Sequence, residues 1–244
     1  MVYFTPPALI TLLSSVSLIA PVVENNGVIN ARLGDVVLAS GKQVTMDLHG
    51  DGLINFAVSP NERVYNAEGK EVATSVKNAG QIIAKGGDVA IKGKTLDNVL
   101  DNLVNVSGLI DVSHAKEMNG EILLYSGGKG GTVKIDGDNI KIASSATINA
   151  SGEIGGAISS VAKNGLITSG KYYAKGFSGV GGYIDVGAEN ITAVSSIIDA
   201  SGFNGGGRVR IGGDYLGGKD LSNNAIALKN INLFKTRWDS PLRE

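Results

Sequence analysis

The chain has 244 residues and nearly balanced charge, 22 basic against 23 acidic, with the basic residues scattered along it. That balance excludes the electrostatic footprint of a nucleic-acid-binding or anionic-membrane-binding protein, and the absence of cysteine excludes a disulfide framework, a Cys-based zinc site and a thiol nucleophile. A hydrophobic content of 43% with only 5% aromatic residues leaves Val, Ile, Leu and Ala to build the core, and 35 glycines against 5 prolines point to many short strands joined by tight turns.

Residues 4–23 are largely apolar and uncharged, but no Lys or Arg precedes Arg32 and Pro6, Pro7 and Pro21 interrupt the run. A secretory signal wants a basic start and a membrane helix about 20 apolar residues in a row. Val16–Val23 (VSLIAPVV) therefore reads as a β-strand leading into the first turn; a signal or anchor, or a non-native start of the reading frame, is the alternative. Residues 1–16 are set apart as an atypical apolar segment, with no stable membrane insertion expected.

From Asn25 the chain rewrites one phrase: NNGVINA at Asn25–Ala31, NAGQIIA at Asn78–Ala84, NVSGLID at Asn105–Asp111, TINASG at Thr147–Gly152 and IIDASG at Ile197–Gly202. Most copies are followed by glycine and a second apolar run, such as GGDVAIKG or GGGRVRIGG. Recurrence of a strand-turn-strand phrase is the signature of a solenoid. Alternation in Thr132–Ile135, Tyr183–Val186 and Arg208–Ile211 gives each strand one buried Val/Ile face. The segment at Gly130–Ile135 recurs at Gly181–Val186, 51 residues on, and a unit of that length suits two coils of a parallel β-helix. The domain is placed at 17–232, with an irregular tail at 233–244 and roughly ten coils in all.

Three stretches depart from the phrase. Leu48–Tyr65 and Tyr172–Gly182 are expected to leave the rod as loops or a hairpin, and Thr95–Val104 has the apolar spacing of a short helix. The turn asparagines Asn26, Asn78, Asn105, Asn149 and Asn190 either stack into a ladder between coils or each serve their own turn.

Catalytic constellations are scarce. His49 and His114 are the only histidines and lie in unrelated sequence; His49-Gly50-Asp51-Gly52 fits a turn. The nearest approach to the clustered aspartates of β-helix polysaccharide enzymes is Asp136-Gly137-Asp138, which fits a turn after Ile135, with a calcium site as the lesser reading. Gly127–Gly131 meets neither the calcium-binding nonapeptide nor a phosphate loop. The sequons at Asn105, Asn149 and Asn190 fall in the repeat phrase and read as turns. No catalytic, cofactor-binding or metal-binding residue is assigned and no cofactor is expected.

The phrase N-x-G-x-I-x-A followed by G-G-x-V-x-L/I resembles the repeats of large bacterial filamentous-haemagglutinin-like exoproteins of the two-partner secretion type. Ser17–Val58 is similar to the stretch downstream of their secretion domain, and Asp199–Gly217 to a later coil; the resemblance covers roughly Ser17 to Leu228. It implies an all-β, right-handed parallel β-helix with short loop or hairpin insertions. It also implies export through an outer-membrane partner transporter, a secreted or cell-surface location, and adhesion to a host or bacterial surface protein or glycan. The family's NPNG-type secretion domain has no counterpart here, so the chain is expected to be an internal piece of a longer exoprotein gene. The expected function is a non-catalytic adhesive module presenting loops such as Asn61–Glu71 and Lys171–Gly182. A β-helix polysaccharide lyase or hydrolase is the alternative, to be told apart by a groove gathering carboxylates and basic residues.

Overall fold

The structure, a computed structural model, describes residues 2–4, 9–12, 15–41, 44–47, 55–58, 65, 69, 72, 74–93, 104–114, 128–212 and 227–237. Strands β1 (Val2–Phe4), β2 (Leu9–Leu12) and β3 (Val16–Ala20) lay down three faces, and β4 (Val23–Asn25), β5 (Val28–Ala31) and β6 (Val36–Ser40) stack on them in the same order. After β6 the chain forms an antiparallel hairpin of β7 (Val44–Asp47) and β8 (Asn55–Val58), so the expected excursion at Leu48–Tyr65 includes the second strand of a hairpin. The rod resumes with β9 (Val76–Asn78), β10 (Gln81–Ile83), β11 (Val89–Gly93), β12 (Val104–Val106) and β13 (Leu109–Asp111). It continues with β14 (Thr132–Ile142), β15 (Thr147–Asn149), β16 (Ala157–Thr168), β17 (Lys171–Tyr173), β18 (Tyr183–Gly187), β19 (Asn190–Asp199), β20 (Arg208–Ile211) and β21 (Ala227–Arg237).

All rod pairings are parallel and each strand pairs with its equivalent one coil away, which defines a parallel β-helix. The first face runs β1, β4, β9, β12 and then halves of β14, β16, β19 and β21. The second runs β2, β5, β10, β13, β15, β17 and the ends of β19 and β21. The third runs β3, β6, β11, the first halves of β14 and β16, β18 and β20. Thr132 stacks on Ala157 and Ala157 on Tyr183, so the 51-residue repeat is two coils, with steps of about 25. The described residues form fewer rungs than the ten estimated from length; at about 4.8 Å each these span roughly 35 Å.

Inward positions form apolar ladders. The second face contributes Ile29, Ile82, Ile110, Ile148, Tyr172 and Ile198, and the third Val36, Val89, Val133, Ile158 and Ile184, all essentially inaccessible. Fully burying each such side chain contributes roughly 1.5–3 kcal/mol. The recurring alanine of the phrase turns the corner after the second face: Ala31, Ala84, Ala150, Ala174 and Ala200 are all buried. The glycine that opens the next run stacks backbone on backbone through Gly34, Gly87, Gly131, Gly156, Gly182 and Gly207. A side chain on any of the last five would collide with the carbonyl oxygen of the glycine one coil below.

Several expectations are corrected. Val16–Val23 is not one strand but β3, a corner at Pro21, and the start of β4, because proline cannot donate to the ladder. Tyr172–Gly182 does not leave the rod: β17 is a second-face strand and the residues after it form a corner. Asp136-Gly137-Asp138 lies inside β14, where the register shifts between Gly137 and Asn139 and the strand bends from the third face to the first. Parallel pairing reaches beyond the boundaries drawn at 17 and 232, to β1 and β2 at one end and through Arg237 at the other. Val104 opens β12; the remainder of the expected helix, 95–103, lies outside the described residues, as do His49 and residues 48–54.

The asparagine ladder is confined to two rungs, and its first member is Asn25 rather than Asn26. Asn25 Nδ2 donates to Asn78 Oδ1 at 2.8 Å, both side chains fully buried. The next rungs at this position are Val106 and Ile142, so the ladder turns apolar. Asn149 instead donates to Asp111 on the outside of the second face at 3.2 Å, and Asn190 to the Asn164 carbonyl at 3.5 Å.

Candidate functional site

The corner between the second and third faces is built by the same device in three coils, those of Asp111, Asn149 and Asp199, while the coil between the last two has Tyr173 at this position. Asp111 Oδ1 accepts from Ser113 N at 3.0 Å, Asn149 Oδ1 from Ser151 N at 3.1 Å and Asp199 Oδ1 from Ser201 N at 3.0 Å. These Asx turns explain why the phrase ends in Asn/Asp-Ala-Ser: a short acceptor two residues ahead of a donor turns the backbone locally. Gly152, Gly176 and Gly202 then bridge one another in parallel from coil to coil.

Beyond these glycines the corner residues stack from coil to coil and carry exposed side chains. Phe177 stands over the coil of Glu153 and Phe203 over the coil of Phe177: Phe177 N donates to Gly152 O at 2.8 Å and Phe203 N to Gly176 O at 3.0 Å. Both rings are exposed, 66% and 73%, and beside them Ile154 and Val180 are 41% and 47% exposed. The result is an apolar ridge along one edge of the rod, on loops braced by backbone. Gly179 N donates to Glu153 O at 2.7 Å, and Asn204 Nδ2 to Ser178 O at 2.8 Å. Lone exposed hydrophobics are ordinary, whereas these four fall on neighbouring coils of one stack of corners.

The flank is polar and ordered. Lys175 Nζ lies 2.9 Å from Asp199 Oδ2 and 5.3 Å from the centre of the Tyr173 ring. Burial pushes the Asp199 carboxyl up, but its hydrogen bonds from Ser201 and Lys175 outweigh this and hold it below the usual carboxylate range. On the neighbouring face Arg210 grips Asp185 through both carboxylate oxygens, Nε to Oδ1 at 2.8 Å, and Arg208 lies 6.0 Å from the Tyr183 ring.

Carboxylates elsewhere serve the stack. Asp35 Oδ1 accepts from Asp88 N at 2.9 Å and Asp88 Oδ1 from Thr132 N at 2.6 Å, a staircase joining three coils. Burial, with the Asp35 charge adding to it and the Thr132 amide opposing, raises Asp88 above the ordinary range. Burial likewise raises Asp136, against the attraction of Lys92, whose Nζ is 4.0 Å away, and of Lys134. Among the described residues, no group of three or more His, Asp or Glu side chains comes together to hold a metal ion.

Of the two loops expected to face a partner, Lys171–Gly182 supplies Phe177 and Val180 to the ridge, and Asn61–Glu71 is described only at Tyr65, which is exposed, and Gly69. Phe203 and Ile154 escaped sequence reading because each sits singly in a Gly-rich turn; only coil alignment puts them beside Phe177 and Val180. Among the described residues no helix is long and apolar enough to cross a membrane. No protein-family model matches the chain, and no curated protein matches it.

Proposed function

We propose that the chain is a non-catalytic β-helical segment of a secreted or surface-exposed bacterial adhesin of the filamentous-haemagglutinin-like kind, part of a longer exoprotein carried out by an outer-membrane partner transporter. The observation that carries this reading is the ridge of Ile154, Phe177, Val180 and Phe203. Two largely exposed phenylalanines on stacked corners add nothing to the packed interior, and they sit on a backbone too well braced to fold them away. A rigid apolar ridge with an ordered polar flank is suited to a surface protein or glycan whose contact is made by shape and burial rather than by charge.

The test is adherence. Beads coated with the purified chain are expected to bind epithelial or bacterial cells, and Phe177→Ser with Phe203→Ser to lose most of that binding while melting as wild type. Equal adherence by the folded double variant would remove the ridge from the account. Depolymerisation of a polyuronate by the wild type, abolished by Asp136→Asn or Asp138→Asn, would replace adhesion by catalysis.

A further inference from the structure

A groove runs along the corner between the first and second faces, on a different edge of the rod from the ridge. It encloses about 640 Å³, a volume suited to a small ligand. Its floor is main chain: Gly27, Gly80 and Gly108 stack there, and a side chain on either of the last two would meet the carbonyl oxygen of the glycine below. One wall is an outward row of the second face, in which Leu9 lies beside Val28, Val28 beside Gln81 and Gln81 beside Leu109. Alternation leaves this side to water and calls for polar residues on it, and further along the same row stand Thr147 and Lys171. At the groove three of the four are apolar instead. Leu9 is 64% exposed, and Val28 and Leu109 are half-buried.

None of the residues lining the groove is charged, so its electrostatics favour a neutral ligand. The polar groups it offers are two amides and a hydroxyl. Asn26 Nδ2 donates to Glu24 Oε1 at 2.8 Å, so its amide oxygen is the atom left for a ligand. Ser145 Oγ donates to Ser107 O at 2.8 Å and can still accept. The Gln81 amide is exposed and can both donate and accept.

The main chain gives an extended peptide nothing to pair with. A peptide of that kind adds itself to an open strand edge. Here β4, β9 and β12 on one face and β5, β10 and β13 on the other are each paired on both sides. A ligand lying along this corner must therefore bring its own hydroxyl-type donors and lay apolar surface on Leu9, Val28 and Leu109.

We propose that the groove binds a neutral oligosaccharide, laid along the rod axis with its ring faces on the apolar wall and its hydroxyls on Asn26, Gln81 and Ser145. From the coil of Leu9 to that of Ser145 the groove crosses about four steps of 4.8 Å, room for roughly four sugar rings end to end. The groove and the ridge share no residue, so the proposal is independent of the adhesive reading.

Isothermal titration of the chain with neutral tetrasaccharides of glucose, N-acetylglucosamine, mannose and galactose tests it, with tetragalacturonate as the charged counterpart. At least one neutral tetrasaccharide is expected to bind, and the matching disaccharide, which spans fewer rungs, to bind roughly tenfold more weakly. Ala79→Phe fills the groove from an exposed position and is expected to weaken binding by roughly tenfold or more. Gln81→Ala, at another exposed position, is expected to weaken it several-fold and keeps the test open if the first variant does not fold. Phe177→Ser with Phe203→Ser is expected to bind as wild type. Four outcomes would overturn the proposal: no binding of any neutral tetrasaccharide at millimolar concentration, tighter binding of tetragalacturonate, undiminished affinity of the folded groove variants, or loss of binding in the folded ridge variant.

Discussion

One coil of the rod has a polar interior, and it offers a sharp test of how the ladders fit. Tyr172 replaces isoleucine in the second-face ladder and is fully buried, and Ser160 stands in the third-face ladder where neighbouring coils have Ile135 and Val186. The phenol oxygen lies 2.7 Å from Thr168 Oγ1, and Ser196 Oγ from the coil above is 3.1 Å from Thr168 O and 3.4 Å from Thr168 Oγ1. Burial pushes the Tyr172 pKa far up, against the opposing hydrogen bond with Thr168 and the smaller effect of the nearby Ser160 hydroxyl, which is itself buried. The large side chain and the small one thus share a layer. Tyr172→Ile removes roughly 25–30 Å³, worth about 0.7 kcal/mol as cavity. It also strips Thr168 of its closest partner, which adds roughly 1–3 kcal/mol. Ser160→Val alone crowds the phenol and costs about 1–3 kcal/mol. In the double variant the valine fills the space the tyrosine leaves, so the combined loss should fall short of the sum by at least about 1 kcal/mol. Urea denaturation of the four proteins at neutral pH measures this coupling. Additivity within about 0.5 kcal/mol would refute the reasoning, since it would mean that the two side chains do not share space.

The other predictions are shorter. Gly156→Ala sets a methyl group against the backbone of Gly130 and Gly131, whereas Gly165→Ala meets only the Asn139 side chain; the first should abolish folding or lower the melting temperature steeply, and the second should be mild. Ser195 sits at φ 54°, so Ser195→Gly should gain up to about 1 kcal/mol in chemical denaturation by relieving a left-handed backbone. Asp199→Asn should destabilise at neutral pH. Because the folded carboxyl is held below its ordinary value of 3.8, that penalty is present above the unfolded pKa and should fade as pH falls through the folded one. Asp88→Asn should do the reverse: the folded Asp88 pKa is raised, its charge weakens the fold at neutral pH, and the amide variant should melt higher there, with its advantage shrinking in acid as the wild-type carboxyl takes up its proton.

The repeat phrase carried most of the architecture because each of its letters has a mechanical role. Asn25 caps its own turn, accepting from Gly27 N at 3.1 Å. The central isoleucine is a ladder rung, the alanine turns the corner, the serine closes an Asx turn, and the glycine after it lets two backbones meet. What was less legible depends on comparison between coils. Asn25 and Asn78 pair because they share a rung, but Asn105 lies one position earlier in its strand and points outward, since Asn105 pairs with Lys77 and Val106 with Asn78. Aromatic residues suggested that Tyr172–Gly182 left the rod, yet Tyr172 is the largest residue of the core, accommodated by a serine across the layer. The corner at Asp136–Asn139 looked like a turn between strands; a shift of register there bends one continuous strand instead.

The central claim is that equivalent residues recur about every 25 positions, so that the 50-residue sequence unit spans two rungs. Thr147 lies beside Lys171 and Lys171 beside Ile197 on the outer side of the second face. In this cysteine-free chain, disulfide formation reads the spacing without ambiguity, because a bridge needs Cα atoms about 4.4–6.8 Å apart. Thr147→Cys with Lys171→Cys is predicted to cross-link on mild oxidation, and so is Lys171→Cys with Ile197→Cys. Thr147→Cys with Ile197→Cys, two rungs apart, is predicted to stay reduced. Ready cross-linking of that last pair, with neither neighbouring pair forming, would contradict the coil assignment on which the ladders and the ridge depend.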